Sequence, residues 1–331
     1  MVIKNTMEAK LLKDCHMKCT PQTKPFPHTE YETKRPKSTI YNLWDDLINF
    51  LVNKYLDPNE WGWVFRGLTK YSYELKSTLD RRLERRSKGR AHLGRRGPYI
   101  GRQTAENYLL HQFKRAAHHF VGSSLLPDIR DNRLEWLALM RHYGAPTRLL
   151  DFTRSPYVAC FFALEETDID KGKKCAIWAI HTDWLIKASL PRIPQQIAGQ
   201  AGLKLSDLLD SEVIAKHFDS LFVNNSVPMI LPIEPPRSNA RLLVQQGLFL
   251  CPAALDRSFD KNLSSYKDDK VNMQEYVHKI KIEGRIFAEA MSELSYMNIS
   301  RASLFPDLEG FGTSLAHKLE DKSSDEIEKL R

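Results

Sequence analysis

Apolar residues recur at positions 40, 43, 44, 47, 48 and 51, the three-four spacing of a helix, with Ser38-Thr39 placed to cap its start. Residues 57–60 (DPNE) read as a turn. Trp61–Leu68 then alternates as a strand, with Trp61, Trp63 and Phe65 on one face and Val64 and Arg66 on the other. Ala105–Val121 predicts a helix lined by Tyr108, Leu109, Phe113, Ala116, Ala117 and Phe120 and ended by Gly122. Asp131 or Asn132 caps a further helix running to His142. Later apolar runs predict strands at Cys175–His181, Val227–Ile233 and Tyr276–Ile282. Between the first two, residues 190–222 read as mostly helical. Phe287–Met297 reads as a helix, and Leu304–Gly312 as a compact turn leading into a polar C-terminal helix.

One stretch breaks the pattern. Trp136–Leu164 starts as an apolar helix, stops at Gly144-Ala145-Pro146, extends through residues 147–153, and re-enters a helix at Ser155-Pro156. Five polar or ionisable side chains (His142, Thr147, Arg148, Asp151, Thr153) lie between two hydrophobic helices, where burial is costly unless they are paired or used. Thr147, Leu149, Asp151 and Thr153 share one face of the extended segment. The Ser155 helix start presents N–H groups suited to an anion. Arg66 poses the same question inside its strand: an ion pair with a carboxylate such as Asp151, or a guanidinium aimed at a phosphate. A second polar cluster sits in residues 240–250 (ARLLVQQGLFL), where Arg241, Gln245 and Gln246 precede Gly247.

Composition narrows the classes. The chain has 331 residues and a formal net charge of +8, which favours acidic partners. No run of about 20 apolar residues predicts a membrane span, and the first residues lack the apolar core of a secretory signal, so the cytoplasm is the expected compartment. Five scattered cysteines predict no disulfide framework. Cys15-His16-x-x-Cys19 lacks a second ligand pair, and adjacent His118-His119 point different ways on a helix, so neither predicts a metal site. The densest charge lies at 81–102, with Arg81, Arg82, Arg85, Arg86, Arg95 and Arg96 among its cations and a glycine-rich second half read as loop. It reads either as a solvated face or as a surface that neutralises nucleic-acid phosphates.

The blocks VFRGL (64–68), HYGAPTRLLDFTRSPYVACFFAL (142–164), RLLVQQGLF (241–249) and SLFPDLEGFG (303–312) resemble the signature blocks of FRG-domain proteins. The resemblance runs over residues 38–318, with 1–37 as a flexible leader, 81–102 as a basic insertion and 319–331 as a polar tail. The order of parts is also similar, remotely, to the ADP-ribosyltransferase superfamily. That resemblance implies an α+β single domain with a central split sheet surrounded by helices, and NAD as substrate. It places Arg66 and Gly67 at the NAD pyrophosphate and ribose, with Thr153 and Ser155 ordering the pocket. Thr147, Arg148 and Arg241 are further candidate cofactor contacts, and His142, Asp151 and Gln245 are the catalytic candidates. Gln245-Gln246 stands where the superfamily carries a glutamate, so the carboxylate that would help an oxocarbenium-like ribose must come from Asp151, or the chemistry is altered.

Three functions follow as expectations. The first is an NAD-dependent ADP-ribosyltransferase acting on nucleic acid, with RNA in view. By analogy this suits a toxin or phage-defence effector held by an antitoxin-like protein partner, with no membrane role. The second is a nucleotide- or nucleic-acid-binding module without turnover. In the third, Arg66, Arg148, Asp151 and Arg241 form one buried ion network that only specifies the fold.

Overall fold

The strand that carries Arg66 lies at the centre of the sheet. β2 (Trp63–Leu68) pairs antiparallel with β4 (Lys174–His181) along its whole length, from Trp63 opposite His181 to Leu68 opposite Ala176. Its other neighbour is β3 (Leu150–Thr153), and that ladder holds one pair, Phe65 opposite Thr153. A computed structural model describes residues 40–56, 62–92, 100–122, 126, 132–165, 173–193, 205–224, 226–268 and 273–320, and the statements below concern these. With β1 (Ile40–Tyr41), β5 (Ile230–Ile233), β6 (Gly247–Pro252) and β7 (Val277–Glu283), the sheet runs β1-β7-β4-β2-β3-β6-β5. Only β1 and β7 pair in parallel among these strands. The architecture is α+β: a seven-stranded mixed open sheet with many helices.

Strand alternation distributes the core. Trp63 and Phe65 join one apolar cluster with α1 (Trp44–Tyr55) and α5 (Pro156–Leu164), while Val64, Leu150 and Phe152 enter a second with Trp184 and Tyr266. A third cluster gathers α4 (Arg133–His142), part of α3 (Arg102–Ala116) and the region of Phe218 and Phe222. α5 lies on β2 at backbone distance. A Cβ on Gly67 would sit 2.2 Å from the Ala159 carbonyl oxygen and 2.4 Å from the Ala163 nitrogen. No other residue type fits between this strand and this helix.

Several expected elements differ. The first helix begins at Trp44, not Ile40, because Ile40 and Tyr41 pair with β7 instead. Position 132 precedes α4, but the Asn132 side chain makes no capping bond. α3 ends at Ala116, and Tyr108 and Phe120, predicted inward, are 63% and 84% exposed. The physical reason is Glu106, which is fully buried and turns a different face of α3 to the core. α2 (Thr78–His92) runs through Gly89, so helix covers part of what the glycines predicted as loop. The last helix starts at Leu308, inside the predicted turn. The leader, with its Cys15-His16-x-x-Cys19, and the turn at 57–60 lie outside the described residues.

Candidate anion-binding cleft

Beyond the Phe65–Thr153 pair, β2 and β3 part, and a cleft of about 190 Å³ opens where they separate. Arg66 spans the gap: its Nη1 donates to the Asp151 carbonyl oxygen at 2.5 Å and lies 3.6 Å from the carboxylate. Gly67 and Thr69 continue the β2 wall, and Asp151, Phe152 and Thr153 form the β3 wall. Arg141, in the last turn of α4, grips Asp151 by Nε (2.9 Å) and Nη2 (2.5 Å) to Oδ2, with Nε also 3.2 Å from Oδ1. Arg241 and Gln245 close the cleft and line a smaller adjoining cavity with His142, Arg141 and Asp151.

The rest of the wall is built to hold Gln245 still. Gln246 adopts φ 47°, and Gly247 sits where a Cβ would meet the Leu242 Cδ1 at 2.7 Å, so the chain reverses tightly from the short helix Ala240–Val244 into β6. Thr153 Oγ1 donates to the Gln245 carbonyl at 2.6 Å, and Gln245 Nε2 donates to the Leu304 carbonyl at 2.9 Å. Phe305 follows, with the Arg241 guanidinium 4.2 Å and the Arg301 guanidinium 4.6 Å from its ring centre. Gly310 packs against Phe305, and Asp307 Oδ1 accepts from the Gly310 N–H at 2.6 Å. Residues 304–310 therefore buttress two residues of the cleft wall, Arg241 and Gln245, from outside the cavity.

The electrostatics are lopsided. Arg66, Arg141 and Arg241 all act on Asp151, and Arg81 from α2 feels both Asp151 and Arg141. Asp307 acts on Arg241, while Glu165 in the cleft is matched by Arg301. Four guanidiniums against Asp151 and Asp307 leave two uncompensated positive charges. Burial pushes the Asp151 carboxyl up, but Arg141 and Arg66 outweigh it and hold it at about 2. Burial lowers the Arg66 guanidinium, with Arg141 and Arg81 adding to it, to about 10, so it stays charged at neutral pH. Burial and then Arg241 lower His142, which is neutral at pH 7. Arg66 Nε and His142 Nδ1 are both buried without a hydrogen-bond partner.

The structure brings Arg66, Gly67, His142, Asp151, Thr153, Arg241 and Gln245 together. Three expected contacts are not there. Arg148 and Glu106 are fully buried together, with Arg148 Nε and Nη2 2.5–3.0 Å from the carboxylate and Nη1 donating to the Phe222 carbonyl at 2.5 Å. Thr147 is buried too, its backbone tied to α2 through Thr78 and Leu79. Ser155 caps α5 by accepting from the Val158 N–H, and its own N–H donates to Thr153 Oγ1, so that helix start is engaged internally. The single ion network drawn from the sequence is thus two: Arg148–Glu106 inside the packed body, and Arg66–Asp151–Arg141 in the cleft. Sequence reading missed Arg141 and Phe305, and it gave Arg81 to the nucleic-acid surface without its link to Asp151. An arginine closing an apolar helix one residue before His142 was the available signal for the first.

The FRG-domain family model matches residues 62–172. Over that stretch the chain matches the FRG domain. The match holds both β2 and the Arg141–Ser155 stretch, and it also spans the basic residues 81–102, which the sequence blocks had placed outside. The blocks at 241–249 and 303–312 lie beyond the matched range; Arg241 and Gln245 of the first line the cleft, and Leu304 of the second supports Gln245. No curated protein and no solved structure matches the chain. Among the described residues no group of His, Cys, Asp and Glu could hold a metal ion, and no helix is long and apolar enough to cross a membrane.

Proposed function

We propose that the cleft between β2 and β3 binds a pyrophosphate-bearing nucleotide of the NAD type, and that ADP-ribosyl transfer is the chemistry of that ligand. The observation that carries this is the surplus of two positive charges around the cleft, which a dianionic pyrophosphate would neutralise. Arg66, Arg141 and Arg241 hold the phosphates. Neutral His142 lines the adjoining cavity and stands at the ribose end of the ligand. Gln245, its amide nitrogen fixed on the Leu304 carbonyl, presents its amide oxygen. The parted strands motivate the split-sheet likeness to ADP-ribosyltransferases. In the reaction the bond from ribose C1′ to the nicotinamide nitrogen breaks and nicotinamide leaves with the electron pair. An acceptor nucleophile then bonds to C1′ and gives up its proton.

A second reading, binding without turnover, is favoured by Asp151. A carboxylate held at about 2 is a poor base at neutral pH, and its charge is cancelled by Arg141 and Arg66. Incubating the full chain with NAD and following free nicotinamide by chromatography separates the two, alongside calorimetry with ADP-ribose. Binding with release supports transfer. Binding without release supports the module. A folded chain that binds neither NAD nor ADP-ribose sinks both.

A further inference from the structure

α2 presents five cations, Arg81, Arg82, Arg85, Arg86 and Lys88, and all five side chains are exposed. At 100° per residue Arg81, Arg85 and Lys88 fall within about 60° of one another, with Arg82 and Arg86 beside them, over a rise of about 10 Å. The acids of this helix are removed from that face. Asp80 is buried, taking the Ser77 hydroxyl at 2.8 Å and Arg102 Nε at 2.6 Å. Glu84 is paired with Lys76 at 3.0 Å. Leu79 is buried and Leu83 half-buried, so the face offers no apolar anchor for a protein partner or a lipid surface. Exposed arginines without hydrophobic neighbours, of which Arg81 also donates Nη1 to the Lys76 carbonyl at 2.6 Å, fit a chain of phosphates.

The helix is also aimed. Its first turn is bonded to Thr147 by the Leu79 N–H (3.2 Å) and the Thr78 hydroxyl (3.3 Å), four residues before Asp151. Arg81 belongs to both places: it is exposed on α2 and within the field of Arg141 and Asp151. We infer that a single strand of nucleic acid lies along the Arg81–Lys88 face of α2 and runs past Arg81 to the cleft. A single strand can follow the helix and then bend toward the opening, whereas a duplex is stiff over this length. The delivery to the cleft rests on the nucleotide-binding reading above; the binding along α2 does not.

The test is fluorescence anisotropy of the full chain with a labelled mixed-sequence single-stranded RNA between 50 and 200 mM salt, about 20 nucleotides long to exceed the site sizes usual for single-strand binders. Five phosphate contacts predict a log–log salt slope of about −3.5, a loss of about 130-fold over that range. Arg82→Gln/Arg85→Gln/Arg86→Gln keeps good helix formers on exposed positions and should reduce the slope to about −1.4, a loss of about sevenfold. ADP-ribose binding should not change in this variant. An unaltered slope overturns the inference. So does a wild-type chain that ignores RNA at 50 mM salt, or polyglutamate displacing the probe as well as unlabelled RNA does. If RNA behaves as stated while ADP-ribose fails to bind, the cleft reading falls and the α2 site stands.

Discussion

Replacing Arg148 by Met should remove most of the stability of the fold while leaving the cleft's own side chains in place. The side chain is fully buried and makes three contacts of 2.5–3.0 Å to Glu106, which is equally buried. Without it, Glu106 keeps only Arg133 Nη2, at 3.4 Å. Stranding one partner of a buried pair costs about 3–5 kcal/mol. The Phe222 carbonyl also loses its 2.5 Å donor, about 1 kcal/mol more. The sum, about 4–6 kcal/mol, is a large share of the ~5–15 kcal/mol that holds an ordinary domain together. Urea unfolding followed by circular dichroism reads it directly. Adding Glu106→Leu should return the double variant to within about 2 kcal/mol of the parent, because the stranded charge is gone and two apolar chains fill the site. Arg133 is only partly buried and retains Asn107, so it tolerates that loss. A single variant within 1 kcal/mol of the parent would refute the reasoning, as would a double variant less stable than the single.

Gly67→Ala should destabilise by about 3 kcal/mol or more, since the new methyl meets α5 backbone that cannot rotate away; a thermal melt close to the parent's would show that α5 can shift. Thr153→Val removes the hydroxyl that donates to the Gln245 carbonyl and accepts from the Ser155 N–H, and should cost about 1–3 kcal/mol and weaken ADP-ribose binding, both readable in one calorimetry and melting series. The Asp151 carboxyl is depressed from 3.8 to about 2, so its contribution to stability is complete above pH ~4 and is lost as pH falls through ~2. The gap in urea midpoint between the parent and Asp151→Asn should therefore shrink between pH 4 and pH 2, and a gap that stays constant would place the carboxyl outside the ion pair.

Local chemistry was readable where it acts within a few residues. Ser155-Pro156 marks the start of α5, Gly144 with φ 75° ends α4, and the alternation through Trp63–Arg66 assigned its faces correctly. Chain regions far apart in sequence, 64–68, 141–153 and 241–249, meet at one cleft, with Leu304 behind Gln245, and each had stood out as polar groups or glycines in apolar surroundings. Arg148 misled because a buried structural arginine and a ligand-binding arginine look alike until the partner is known, and Glu106 lies 42 residues away on a helix whose buried face is rotated from the predicted one. The β2–β3 parting was equally hidden: strand alternation fixes which side chains share a face, but not how many residues two strands pair.

The central claim is that Arg66 meets a phosphate at the parting of β2 and β3. Calorimetric titration of ADP-ribose into the full chain and into Arg66→Lys tests it most directly, because lysine keeps the charge and loses the planar fork. Saturable one-to-one binding by the parent, and at least tenfold weaker binding (about 1.4 kcal/mol) by a variant that melts as a folded protein, is the expected result. Equal affinity in both chains, or no heat from the parent, would contradict it.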